Sequence, residues 1–343
     1  MNKLRILVYA SHFYPSVGGM EIVSETLARR FSGAGHSVTV VTDTPSNGPE
    51  NLPIPVVRRP SFGELLRICL LHDVLLLSPI TLRRIGPPLL SGRPIVVKHP
   101  NPFVGKNGDV RLVDRLKLGV SRATTNVVAG AYMATLVPNP VIIPNPYDHT
   151  LFRYNGEPKT ADILFVGRLD VVKGVDVLLR AIKDIESAFP QLNATIVGNG
   201  PEYGNLRRLA AELGLDHRVS FAGALRGEAL ASEMRRHKVM VVPSSYKEPF
   251  GNVALQGLAS GCLMIVSRNG GLVDATGHHA LTFDNGDSES LAACLAEAFR
   301  EPNLTEKLLG GVQDHLAKHH EDVVANDYLR LLHAVTRRSP SNR

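Results

Sequence analysis

The sequence predicts an α/β protein of two doubly wound, Rossmann-like domains facing a central cleft, and three observations carry that prediction. Its 343 residues exceed what one hydrophobic core usually organises. Short runs rich in Val, Ile and Leu alternate with segments of helical period, and the alternation restarts after a polar stretch at residues 144–160. The runs are continuously apolar, as expected of strands buried on both faces of a parallel sheet.

In the first domain, residues 1–150, the strand-like runs lie at 4–8, 38–41, 74–77, 95–97, 126–128 and 141–143. Residues 151–343 form the second, with runs at 163–166, 194–197, 219–221, 239–242 and 263–266. Helix-period segments at 175–185, 202–213 and 228–236 separate them, and residues 288–337 read as successive helices. In sheets of this kind ligands bind outside the carboxyl ends of the strands, so the loops there are where chemistry is expected.

Composition excludes several classes. Hydrophobic residues make up 44% and charged residues 20% of the chain, and no run approaches the roughly 20 apolar residues of a membrane span. The first apolar run starts almost at Met1 without the pattern of an export signal. Cys69, Cys262 and Cys294 are isolated and odd in number, as expected of reduced thiols in a cytoplasmic protein. No His, Cys and carboxylate spacing suggests a metal. Charge is unevenly placed: residues 1–150 hold 16 Lys/Arg against 9 Asp/Glu, and the remainder 22 against 23. Arg83, Arg84, Arg93, Lys98, Lys106, Arg111, Arg115, Lys117 and Arg122 are candidates for a basic face that meets anionic lipid or a polyanionic acceptor, or for an ordinary solvated surface. Nucleic acid is not expected, because Trp is absent and no recognition motif accompanies the charge.

Four loops at strand ends carry more than turn residues. Ser244-Ser245-Tyr246-Lys247-Glu248-Pro249-Phe250-Gly251-Asn252 leaves the run at 239–242 and opens a helix, whose start offers free N–H groups to a hydroxyl-rich or anionic ligand. Glu248 precedes that start and Gln256 lies within the helix, so both can face one ligand; a bare capping role for Glu248 is the alternative. Gly167-Arg168-Leu169-Asp170-Val171-Val172-Lys173-Gly174 follows the run at 163–166, and its two cations can hold a diphosphate and stabilise its departure. Pro15-Ser16-Val17-Gly18-Gly19-Met20-Glu21 follows the first run, and its paired glycines permit close backbone approach. No Gly-x-Gly-x-x-Gly follows that run, which disfavours a dinucleotide dehydrogenase. His99-Pro100-Asn101-Pro102 follows the run at 95–97 and places an imidazole where it can meet a sugar hydroxyl. Gly198-Asn199-Gly200-Pro201 reads as turn chemistry.

In order, Gly18-Gly19, His99, Ile143-Pro144-Asn145 before Asp148 and Phe152, the Gly167-Arg168 to Lys173-Gly174 loop, Gly198-Asn199-Gly200-Pro201, Glu248-Pro249-Phe250-Gly251 and Asn269-Gly270-Gly271 resemble the retaining glycosyltransferases of family 4. The resemblance covers nearly the whole chain and implies the GT-B fold, with the last helix packing back on the first domain. It also implies metal-independent transfer of a hexose-type sugar, with retention, from a nucleotide-diphosphate sugar to a glycan or lipid-linked acceptor. No cofactor is implied, and the protein is expected in the cytoplasm or peripherally on the inner membrane face. Arg168 and Lys173 look like the diphosphate clamp, and Gly18 and Gly19 like backbone donors. Glu248 looks like the group contacting the transferred sugar, with Phe250, Gly251 and Asn252 presenting amides to it. His99 would lie near the reacting carbon, and Leu225 against the nucleobase. Gln256 departs from the family's second Glu and exchanges a charge-assisted bond to the ribose for a neutral one. That departure motivates a non-catalytic sugar-nucleotide-binding protein as one alternative. An epimerase or phosphorylase of the same fold is the other.

Overall fold

The computed structural model describes residues 2–15, 18–46, 52–103 and 112–338. Contacts divide the chain into one unit of Met1–Pro146 with Lys318–Arg343 and a second of Tyr147–Ala317. The division thus lies four residues before the expected 150, and the final segment counts with the first unit.

The first unit runs β1 (Arg5–Ala10), α1 (Gly19–Gly33), β2 (Ser37–Thr42), β3 (Val56–Arg58), α2 (Phe62–Leu71), β4 (Val74–Ser78), α3 (Gly86–Leu90), β5 (Ile95–Lys98), α4 (Leu112–Arg122), β6 (Thr125–Val128), α5 (Ala131–Ala134) and β7 (Pro140–Ile142). The second runs β8 (Ala161–Val166), α6 (Val175–Ile185), β9 (Ala194–Val197), α7 (Tyr203–Glu212), β10 (Val219–Gly223), α8 (Gly227–Arg236) and β11 (His237–Val242). It continues through α9 (Asn252–Ala259), β12 (Leu263–Ser267), α10 (Leu272–Thr276), β13 (Ala280–Phe283), α11 (Ser288–Arg300), α12 (Leu304–Leu309) and α13 (Val312–Ala317). The last helix, α14 (Glu321–Arg338), belongs to the first unit.

Both sheets are parallel throughout. Their orders are β3-β2-β1-β4-β5-β6-β7 and β10-β9-β8-β11-β12-β13, each the order of a doubly wound fold. All eleven expected strands are present. The two that sequence patterning missed, β3 and β13, are sheet edges. Edge strands are covered on fewer sides, so they need less of the apolar run that marks a central strand, and both are largely half-buried here.

α14 lies with the first unit because its apolar stripe is buried there. Val324, Tyr328 and Leu332, one helical turn apart, are wholly buried beside Val23, Leu27 and Phe31 of α1. Arg30 on α1 adds an ion pair to Glu321 at 2.5 Å. In the second unit, Val175, Leu178, Leu179, Ile182 and Ile185 of α6 bury against the sheet with Leu291 and Leu295 of α11. The three cysteines are free thiols. Burial pushes the Cys69 thiol up to about 12 and Cys262 to about 11, which makes both poor nucleophiles. Among the described residues, no helix is long and apolar enough to cross a membrane and no group of His, Cys, Asp and Glu is arranged to hold a metal ion.

Candidate functional site

The strand order of the second unit reverses between β8 and β11, which pair directly. Loops leaving adjacent strands at such a point diverge to opposite sides of the sheet and leave a crevice between them, where ligands of open α/β sheets bind. The β8 loop carries Arg168 and Lys173, and the β11 loop carries Glu248. Ser245 N–H donates to the Val172 carbonyl at 3.0 Å and so ties one loop to the other.

At the centre of this point, Lys173 Nζ donates to Glu248 Oε1 at 2.6 Å. Glu248 is only 8% exposed, yet its carboxylate is met by hydrogen-bond donors. Ser244 Oγ donates to the same oxygen at 2.8 Å, and Tyr246 OH donates to Oε2 at 2.8 Å. Three donors offset the desolvation of a buried carboxylate. The Lys173 ammonium also sits 5.4 Å from the centre of the Tyr246 ring. Burial, reinforced by the neighbouring Glu248 charge and hydrogen bond, drives the Tyr246 phenol well above its ordinary value, so it remains a donor. The roles of Ser244 and Tyr246 were missed in sequence; their only signal was their place four and two residues before Glu248.

Backbone geometry holds these side chains in place. A short 3-10 turn, Val171–Lys173, ends at Gly174 in the left-handed region at φ 68°. A Cβ there would lie 1.9 Å from the Pro243 carbonyl oxygen, so only glycine lets the Lys173 turn close on the end of β11. Gly198 and Gly200, expected to be turn residues, instead lie against the Arg168 loop, where a Cβ would meet the carbonyls of Gly167 and Leu169 at 1.8 and 2.1 Å. Gly271 N–H donates to the Glu248 carbonyl at 2.7 Å. Asn285 Nδ2 bonds the Ser244 carbonyl at 3.1 Å and the Asn269 carbonyl at 3.2 Å.

Other expected residues are placed less tightly. Arg168 is exposed and pairs with Asp170 at 3.3 Å, a contact loose enough for its guanidinium to swing toward an anion. Phe250 is buried, Gly251 is left-handed at φ 98°, and Asn252 opens α9 as expected. Gln256 is half-buried in the second turn of α9. Leu225 follows β10, two strands from β8, and is half-buried; Gly198 N–H donates to the carbonyl of Gly223, at the end of β10, at 2.7 Å.

In the first unit the order reverses between β1 and β4. Gly18 and Gly19 begin α1 beyond β1, and Glu21 folds back over Gly18. Ser16 and Val17 of that loop lie outside the described residues. His99 follows β5, and the loop after it touches the start of α1 through Asn101 Nδ2 and Met20 Sδ at 3.9 Å. His99 is buried, with Nε2 2.8 Å from Asn126 Oδ1 and the Phe103 ring edge-on at 5.0 Å. Burial lowers its imidazole to about 4, against the smaller opposing effect of Asn126, so the ring is neutral at physiological pH.

The expected basic face needs correction. Lys98 is not on a surface: it is 5% exposed, at the end of a central strand. Arg84 is paired with Asp43 at 2.8 Å, and Arg93 donates to the Leu70 carbonyl at 2.8 Å. Lys106 and Arg111 lie outside the described residues. What remains exposed is Arg83 and, on or at the end of α4, Arg115 and Arg122, with Lys117 half-buried. α4 also exposes Leu112, Val113 and Leu116 while burying Asp114 and Ser121. Charge counting sees side-chain type and cannot see which side of the pleat or helix the residue occupies.

Glycosyl transferases group 1 is the family whose profile matches this chain, over residues 149–309. D-inositol 3-phosphate glycosyltransferase of Acidothermus cellulolyticus is 34% identical over 171 residues, 47% of this chain and 38% of that one. The lipopolysaccharide core biosynthesis glycosyltransferase LpsD of Rhizobium meliloti is 34% identical over 172 residues, 49% of this chain and 48% of its own. The matched segments therefore span less than half of these curated relatives. Among solved structures, HepE of Anabaena in complex with UDP and glucose superposes with a TM-score of 0.77 at 18% identity, over 95% of this chain and 98% of the other. The fold is thus that of the GT-B glycosyltransferases, and residues 149–309 are similar to the glycosyl transferases group 1.

Proposed function

We propose that this protein transfers a hexose-type sugar from a nucleotide-diphosphate sugar to a glycan or lipid-linked acceptor, with retention at the anomeric carbon and without a metal. The observation that carries the reading is the Lys173–Glu248 contact at the β8/β11 reversal. It sets a cation for a leaving diphosphate beside a carboxylate, held on hydroxyl donors, for the hydroxyls of the transferred sugar. Lys173, with three N–H donors, can serve Glu248 and a phosphate oxygen together, and exposed Arg168 can close on the second phosphate. Negative charge grows on the diphosphate as the glycosidic bond breaks, and cations fixed there stabilise that state more than the ground state. The complex of HepE with UDP and glucose supports the nucleotide-sugar part of this reading.

The test is thermal melting against UDP, GDP, ADP, CDP and dTDP. One nucleotide is expected to stabilise the protein by about 3 kcal/mol at a hundredfold excess over its Kd, with the shift diminished in Arg168→Ala and lost in Lys173→Ala. No shift with any of them at millimolar concentration would refute the reading and favour a chain that has lost its donor site.

For the acceptor, we propose that it is presented at an anionic membrane surface, on which α4 lays its exposed Leu112, Val113 and Leu116 beside Arg115 and Arg122. Flotation with phosphatidylglycerol vesicles is expected to carry the protein at low salt and less of it at physiological salt, where surface charge is screened. Absence from the vesicle fraction at both would overturn the membrane proposal and leave the donor chemistry intact.

A further inference from the structure

Asn126 lies at the start of β6, 1% exposed, and its amide is read unambiguously by its neighbours. Nδ2 donates to the Ser121 and Pro138 carbonyls, each at 2.8 Å. Carbonyl oxygens only accept, so this end of the amide carries the hydrogens and the flipped assignment is excluded. Oδ1 therefore faces His99 Nε2 at 2.8 Å and can only accept from it, which requires the imidazole proton to be on Nε2. His99 N–H donates to the Val127 carbonyl at 2.9 Å, extending the β5–β6 ladder one residue and fixing the backbone from which the ring projects. The Phe103 ring, edge-on at 5.0 Å, packs beside it.

We propose that Asn126 is a positioning residue that holds His99 in its Nε2–H tautomer, so that Nδ1 meets the substrate as a lone-pair acceptor for a hydroxyl. This rests on the transferase reading and sharpens it. A neutral Nδ1 without a proton repels a phosphate or carboxylate oxygen and accepts from O–H. His99 then reads a sugar or acceptor hydroxyl and not a phosphate oxygen. Asn126 acts only through His99 and touches no substrate.

The first readout is the tautomer itself, by long-range 15N–1H correlation on 15N-histidine-labelled wild-type protein at neutral pH, with His99 assigned by its loss in His99→Gln. A pyrrole-type Nε2 and pyridine-type Nδ1 are expected; the opposite pattern overturns the proposal. Because this is measured without ligand, it is independent of whether sugar transfer is the activity. The second readout compares Asn126→Asp with Asn126→Leu, similar in size and both unable to hold the Ser121 and Pro138 carbonyls. Asp keeps the acceptor and is expected to keep the Nε2–H signature. Leu is expected to lose it and to lower kcat/KM about tenfold below Asp, with the nucleotide melting shift unchanged in both. Equal tautomers and equal kcat/KM in the two variants would reduce Asn126 to a strand-end tie and refute the proposal. Should either variant fail to fold, the wild-type spectrum still decides.

Discussion

Replacing Lys173 with alanine is expected to lower kcat/KM by roughly two to three orders of magnitude, the range typical of removing one fixed group that stabilises developing charge. The ammonium is held in the β8/β11 site at 2.6 Å from Glu248, whereas Arg168 is 71% exposed at its side chain and must be recruited. Glu248→Gln is predicted to separate the two functions. It keeps the size of the side chain and its carbonyl acceptor for Ser244 or Tyr246, and it frees Lys173 entirely for the phosphates. Nucleotide-induced melting should therefore persist in Glu248→Gln while turnover falls, and both should be lost in Lys173→Ala. Loss of the nucleotide shift in Glu248→Gln as well would mean that the carboxylate serves the nucleotide and not the sugar.

Lys98→Met is expected to stabilise the protein by about 3 kcal/mol at neutral pH, or roughly 6 to 12 °C in the melting of the first unit. Burial lowers the Lys98 ammonium from 10.5 to about 8, and among the described residues no hydrogen bond or carboxylate opposes it. Below pH 8 the lysine is charged in both folded and unfolded chains, and the folded one bears the full desolvation penalty. Between pH 8 and 10.5 the unfolded chain binds more protons than the folded, so wild-type stability gains on the variant as pH rises through that window. The difference between the two proteins should therefore shrink from pH 8 upward and be nearly gone near pH 11. Calorimetry at pH 7 and pH 10 checks this; a variant less stable than wild type at pH 7 would show that the ammonium has a stabilising partner.

Much of the molecule was legible in its sequence because the signals are local. Continuous apolar runs marked eleven of the thirteen strands among the described residues, and the two left out are edges, where partial exposure dilutes the run. Arg168, Lys173 and Glu248 were legible because each stands in a short polar string directly after a buried strand. The partners of those residues were not. Lys173 and Glu248 are 75 residues apart, and His99 and Asn126 are 27 apart. The hydroxyls of Ser244 and Tyr246 and the glycines at 174, 198 and 200 take their roles from what lies opposite them. Lys98 counted toward a basic face by its type and proved to be buried. By itself, the sequence determined the element types, the parallel sheets and which strand-end loops carry polar strings, since periodicity and turn residues act within a few positions. Only the tertiary structure decided which loops meet, which cation is buried and which tautomer His99 adopts, because strand order brings together residues whose separation along the chain encodes nothing about their distance in space.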